Sequence, residues 1–335
     1  VSICILPKLG GLGGPASFAA RLTAALAERD VEAHSDVSRS DIQVVLVMGG
    51  TRQVGALFQL KRRGVRIVQR LNGMNWIHRR ANTGIKHFLR SEFNNLLLAG
   101  IRRTSDRIIY QSRFSRDWWQ TVYGSTPAHG TVIYNGIDLQ KVTPTGVGEK
   151  PVDRYRILLV EGHLGGGNEP GLMNAVALCQ QLKGKLDKPV ELMVAGDVPG
   201  TLQKTVAASG INVVWRGIVA RDEVPALDRS AHILFSADLN AACPNSVIEA
   251  LACGLPVVAF ATGALPEMLA GDAGKTAPYG TDYWRLQAPD IAGLADAAMT
   301  VLADLPRYQR GARQQAEALF DIQHVTTAYL DVLLG

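Results

Sequence analysis

The chain has 335 residues and alternates short, uninterrupted apolar runs with helical stretches. It then breaks off and starts the same alternation again. Few architectures accommodate such a pattern. In the first half, Ile3–Leu6, Val44–Met48, Ile67–Leu71, Arg107–Tyr110 and Val132–Tyr134 read as buried strands. Ala16–Arg29 and Val54–Arg63 read as helices between them. Residues 85–101 place Ile85, Phe88, Leu89, Phe93, Leu96, Leu97 and Ile101 near helical spacing, with Lys86, His87 and Arg90 elsewhere on the wheel. Thr, Gly, Pro and charge fill Val142–Pro151, the composition of a linker.

Beyond the linker, strands are expected at Ile157–Val160, Glu191–Ala195, Val213–Trp215, Ile233–Ser236 and Pro256–Phe260. Helices are expected at Pro170–Lys183, Leu202–Ala208, Val224–Ser230, Ser246–Cys253 and Ile291–Leu302, followed by one last helical stretch, Arg307–Leu334. Alternating strand and helix builds a mostly parallel sheet covered on both faces. The expectation is therefore an α/β chain of two Rossmann-like, doubly wound domains, residues 1–145 and 151–317. A C-terminal helix at about 318–335 is expected to return to the first domain. Ligands of such sheets bind beyond the carboxyl ends of the strands, so the two ligand edges are expected to face across a cleft.

Charge is unevenly shared. Residues 1–150 hold 21 Lys and Arg against 10 Asp and Glu, a balance of +11; the remaining 14 against 20 give −6. Between 61 and 116 there are 14 basic residues against Glu92 and Asp106. This turns the first domain towards something anionic. The basic region 61–116 is open to three readings: a solvated surface, a face for anionic membrane lipid, or a site for an acceptor phosphate. It lacks the aromatic interleaving of a nucleic-acid groove, so nucleic acid is not an expected partner.

No apolar run reaches the roughly 18 residues of a spanning helix, and Val1–Leu6 is short for a signal peptide and reads as a strand. Cys4, Cys179, Cys243 and Cys253 lack metal-ligand spacing, as do the histidines. The expectations are no metal, no cofactor and a reducing cytoplasm, with peripheral attachment to the inner membrane face as an option. Trp118-Trp119 reads as core or interface before a sugar platform.

Four segments can carry chemistry. In Ala242-Cys-Pro-Asn-Ser-Val-Ile-Glu249, Pro244 supplies a fixed turn and Asn245 or Ser246 is available as a helix cap. The first-turn N–H groups and the positive dipole end make a phosphate site there, and Glu249 lies one turn further in, suited to accept two ribose hydroxyls. The alternative is a packing helix with Glu249 on a solvated face. Lys8-Leu-Gly-Gly-Leu-Gly-Gly-Pro-Ala-Ser17 joins the first strand to the first helix. Its four glycines allow close ligand approach, but it lacks the spacing of the dinucleotide fingerprint, which disfavours an NAD-dependent oxidoreductase. Gln69-Arg-Leu-Asn-Gly73 ends a strand with Asn72, which can donate and accept hydrogen bonds but cannot act as a base, or can simply form a turn. Val160-Glu-Gly-His-Leu-Gly-Gly-Gly-Asn168 ends another.

The 242–258 segment resembles the donor-binding motif of the family 4 glycosyltransferases, which have the GT-B fold and retain anomeric configuration. By that resemblance Glu249 holds the donor ribose, and the N–H groups of Asn245 and Ser246 hold the diphosphate. Tyr134-Asn-Gly-Ile-Asp138, Gly263-Ala-Leu-Pro-Glu267 and Trp215-Arg-Gly217 with Ile218 resemble further family segments. The last of these implies that Gly217 and Ile218 receive the base. Gly13 and Gly14 match the loop over the donor phosphates and acceptor. Asn72 stands where members often carry a histidine, and implies orientation of sugar or acceptor. Three positions depart from the family pattern. The first motif glutamate falls at Ala241, and the arginine and lysine that neutralise the leaving diphosphate fall at His163, after Gly162, and at Asn168. Charge could then come from Arg21, Arg70, Arg79, Arg80 or a protonated His163.

The resemblance implies a retaining, metal-independent transfer of a hexose-type sugar from a nucleoside-diphosphate sugar to a hydroxyl of a small-molecule, glycan or lipid-linked acceptor. Catalytic roles would fall to Asn72, His163 and Glu249. The departures leave a second reading, a non-catalytic relative that binds sugar nucleotides or scaffolds a partner.

Overall fold

The computed structural model describes every residue from 1 to 335 except 9, 11 and 12. The described residues form two compact units: Val1–Arg79 with Gly84–Asp138 and Phe320–Gly335, and Arg80–Thr83 with Leu139–Leu319.

Unit 1 contains β1 (Ser2–Leu6), α1 (Gly14–Ala27), β2 (Glu32–His34), β3 (Val44–Met48), α2 (Val54–Arg62), β4 (Arg66–Leu71), α3 (Ile85–Thr104), β5 (Arg107–Tyr110), α4 (Arg113–Tyr123) and β6 (His129–Val132). Its strands pair in parallel in the order β2-β1-β3-β4-β5-β6. Every residue of β1 and β3 is buried, which is why these strands read as unbroken apolar runs.

Unit 2 contains β7 (Tyr155–His163), α5 (Glu169–Leu182), β8 (Val190–Asp197), α6 (Gly200–Ala207), β9 (Asn212–Gly217), α7 (Val224–Arg229) and β10 (Ile233–Ser236). It continues with α8 (Asn245–Ala252), β11 (Val257–Phe260), α9 (Leu265–Met268), β12 (Gly274–Ala277), α10 (Ile291–Ala303) and α11 (Leu305–Leu319). The strands are again parallel, in the order β12-β11-β10-β7-β8-β9. Both expected doubly wound sheets are present.

The sequence expectation needs correcting in several places. The stretch Arg307–Leu334 is two helices, because Asp321 caps α12 (Ile322–Leu334) by accepting from Gln323 N at 2.9 Å. The chain crosses into unit 1 at this break: Ile137 N donates to Phe320 O at 2.8 Å and Ile322 N to Ile137 O at 3.0 Å. Gly136 permits the approach, since a Cβ there would lie 2.9 Å from Ile322 Cα. Ile322, Val325, Tyr329, Val332 and Leu333 then enter the unit 1 core with Phe18 and Leu22 of α1. Each such burial is worth roughly 1.5–3 kcal/mol relative to exposure. Strands β2 and β12 and helix α4 were not anticipated, and β6 lies N-terminal to the expected Val132–Tyr134.

The Val142–Pro151 stretch lies against unit 2. Arg313 of α11 donates to Leu139 O, Val142 O and Ala252 O, and Arg229 of α7 to Thr143 O and Val147 O.

Candidate functional site

Numbered from β7, the unit 2 sheet has the order 3-2-1-4-5-6, so its strand order reverses between β7 and β10. Ligands of open α/β sheets sit at such a switch point, beyond the carboxyl ends. The residues gathered there are the end of β7, the β10–α8 connection and the start of α8.

Helix α8 begins at Asn245, and Pro244 is its cap residue. This corrects the expectation that Asn245 or Ser246 would cap it: both lie in the first turn, and Pro244 supplies no side-chain acceptor. The first-turn N–H groups are those a helix leaves without an intrahelical partner, at the positive end of its dipole. Glu249, one turn in, is 9% exposed. That excludes the reading in which it decorates a solvated face. Beside it, Asp228 of α7 is 1% exposed, and neither of its carboxyl oxygens has a hydrogen-bond partner. Burial first, and the Glu249 carboxylate second, push Asp228 well above the usual carboxylate range. The α7–α8 pair thus favours the protonated form of Asp228.

A β-bulge lies at the end of β7, between Val160 and His163. Gly196 of β8 makes room for it at φ +146°, because a Cβ there would collide with Glu161 O. The bulge sets Glu161, Gly162 and His163 at the strand's carboxyl end. Gly162 is exposed with open space around its Cα. The His163 ring is half exposed and places Nδ1 2.8 Å from Oδ2 of Asp197, at the paired end of β8. Partial burial, then the Asp238 carboxylate on the next strand end, push Glu161 up to about 8. Asn168 is exposed before α5, and Ala241 is buried with its carbonyl accepting from Ala264 N at 2.8 Å. Gly217 ends β9 at φ +65°, and Ile218 after it is 67% exposed.

In unit 1, Gly13 caps α1 and Gly14 starts it, both exposed. Positions 9, 11 and 12 of the glycine-rich turn lie outside the described residues. Asn72 follows β4 and is held from several sides. Its Oδ1 accepts from Arg70 Nη1 at 2.9 Å, the Gln111 amide packs against it, and its backbone O accepts from Trp119 Nε1 at 2.7 Å. With the carbonyl engaged, the amide NH2 is the group left to offer, as a donor. Trp119 is fully buried, and so belongs to the core.

Arg70 is 1% exposed, lies 4.5 Å over the Phe18 ring and donates to Asn135 Oδ1 at 2.5 Å. Arg79 is tied to Glu92 at 2.5 and 2.7 Å. Both are therefore occupied as sources of charge for a diphosphate. Four contributors escaped the sequence reading: Glu161, Asp197, Asp228 and Asn135. A carboxylate at or just past a strand's carboxyl end was the available signal for the first two.

A model of "Glycosyl transferases group 1" matches residues 156–304, and one of "Glycosyltransferase Family 4" matches residues 36–141. A D-inositol 3-phosphate glycosyltransferase of Mycobacteroides abscessus is 26% identical over 183 residues, which is 50% of this chain. The matched stretch spans only 39% of that relative's length. Among solved structures, HepE of Anabaena in complex with UDP has a TM-score of 0.72 at 17% identity, covering 99% of both chains. WaaG, a glycosyltransferase involved in lipopolysaccharide biosynthesis, has 0.70 at 15%, covering 100% of both. Sucrose-phosphate synthase from Thermosynechococcus elongatus has 0.67 at 16%, covering 97% of this chain and 80% of that one. At these identities the structures show a shared GT-B fold.

Proposed function

The chain belongs to the group 1, family 4 glycosyltransferases, and from that premise we propose that it transfers a hexose-type sugar from a nucleoside-diphosphate sugar to an acceptor hydroxyl, with retention and without a metal. The observation that carries the reading is α8: a first turn with no side-chain cap, and a buried Glu249 one turn behind it. In this assignment the N–H groups of Asn245 and Ser246 hold the diphosphate and Glu249 accepts the ribose hydroxyls. The backbone at Gly217 and Ile218 takes the base. Gly162 lets the chain approach the diphosphate, and His163, oriented by Asp197, offers it a hydrogen-bond donor.

The family resemblance assigns Gly13, Gly14 and Asn72 to the sugar and acceptor. The acceptor oxygen forms a bond to the anomeric carbon as the bond from that carbon to the diphosphate oxygen breaks. The acceptor proton passes to the leaving phosphate, so no protein base is required. HepE was solved with UDP and, separately, with UDP-glucose, which supports trying UDP-sugars first.

Melting the chain with UDP, GDP, ADP and their sugars identifies the base, since specific binding raises Tm by mass action. Transfer and donor hydrolysis are then followed with the matching sugar. Donor-dependent product that disappears in Glu249→Ala supports transfer. Binding without turnover on any acceptor would support the second reading, a sugar-nucleotide binding or scaffolding protein, which Ala241, His163 and Asn168 favour.

A further inference from the structure

A stripe of large apolar side chains runs along α3 in open solvent. Ile85, Leu89, Phe93 and Leu96 are between 61% and 76% exposed. Their spacing of four, four and three residues keeps them on one face over about 17 Å. On neighbouring α2, Phe58 is 60% exposed, with the Arg62 guanidinium 4.8 Å over its ring. Leu97 and Ile101 of α3 and Leu57 and Leu60 of α2 pack into one core cluster beneath, so the two helices share this face of the sheet.

The charge around the stripe has one sign. Residues 50–104 contain twelve Lys and Arg and one carboxylate, Glu92. That carboxylate is held near 2 by Arg79 first and His78 second. The exposed Arg52, Lys86, Arg90 and Arg103 have no hydrogen-bonding or ionic partner among the described residues. Next to Phe93 lies a groove of about 550 Å³, whose lining includes Thr51, Arg52, Gln53, Asn75, Arg90 and Asn94. Pro7, Phe93 and Leu97 also line it, so it joins apolar walls to two guanidinium groups and is large enough for a phosphate headgroup.

We propose that this α2–α3 face docks on an anionic phospholipid bilayer, with Ile85, Leu89, Phe93 and Leu96 entering the headgroup layer and Arg52, Lys86 and Arg90 meeting lipid phosphates. An exposed apolar stripe flanked by unpaired cations matches an anionic interface in both components. A second copy would set one basic unit against another. Among the described residues no helix is long and apolar enough to cross a membrane, so the contact is peripheral.

The test is co-sedimentation of the whole chain with vesicles of phosphatidylcholine alone and of phosphatidylcholine with phosphatidylglycerol. It needs neither donor nor acceptor, so its failure is separate from failure of the transfer reading. Binding is expected to the anionic vesicles only, weakening as salt rises. Leu89→Ser with Phe93→Ser lowers affinity at least about tenfold at an unchanged Tm, and Arg90→Glu lowers it about fivefold or more. Equal binding to both vesicles, or variants that bind like the native chain, would overturn the proposal. So would a concentration-dependent dimer, lost in Phe93→Ser, with no vesicle binding.

Discussion

The imidazole Nδ1 of His163 lies 2.8 Å from Oδ2 of Asp197, where β7 and β8 end together. A carboxylate beside the ring fixes its orientation. By the family resemblance an arginine is expected at this position, and the proposed function assigns His163 to the leaving diphosphate in its place. His163→Arg is expected to raise donor turnover severalfold, since a guanidinium carries a fixed charge and can meet a phosphate with two N–H groups. His163→Ala should lower turnover by tenfold or more, about 1.4 kcal/mol. Equal turnover by the Arg variant, the Ala variant and the native chain would remove His163 from the diphosphate.

Arg70 holds Asn72 and Asn135 together from a buried position. Arg70→Met removes a buried donor to both amide oxygens. A stability loss of about 3 kcal/mol is expected in urea unfolding. A loss below about 0.5 kcal/mol, the scale of an ordinary surface change, would show that the network is not structural.

Gly136 gives α12 its seat in unit 1. Gly136→Ala puts a Cβ 2.7 Å from Ile322 Cδ1 and 2.9 Å from its Cα, contacts that require movement of the backbone. About 1–3 kcal/mol of destabilisation is expected, with faster amide exchange confined to α12 and the residues around 137. Uniform exchange changes across both units would contradict this local account.

Asp228 makes stability depend on pH. Its folded pKa is raised, so the folded state keeps a proton that the unfolded chain releases, and stability falls as pH rises through the unfolded value of about 3.9. The loss grows until the folded pKa is reached. Asp228→Asn keeps the group neutral, so its stability relative to the native chain should rise from about pH 4 upward and match it below that. Urea midpoints across the range check this; a constant offset would show that Asp228 does not titrate between the states.

Much of the fold was legible because buried parallel strands leave unbroken apolar runs, as in Val44–Met48 and Ile233–Ser236, both recovered with their observed bounds. Strand β2, Glu-Ala-His, and strand β12, Gly-Lys-Thr-Ala, sit at sheet edges and carry no such run. The break between α11 and α12 was hidden because apolar residues continue through Phe320 and Ile322. Only the Asp321 cap and the strand-like contact with Ile137 end the helix there.

The sequence by itself determined two doubly wound parallel sheets and the family, because both follow from short-range patterns: alternating apolar runs and the 242–258 segment. It also named Glu249. Only the tertiary structure decided that Glu249 is buried beside an unpartnered Asp228, and that His163 is paired with Asp197. It also showed that Arg70 and Arg79 are already engaged. Those pairings join residues on different strands and helices, brought together by sheet order and register. A side chain's charge state and partners depend on what the fold packs against it, which no local spacing encodes.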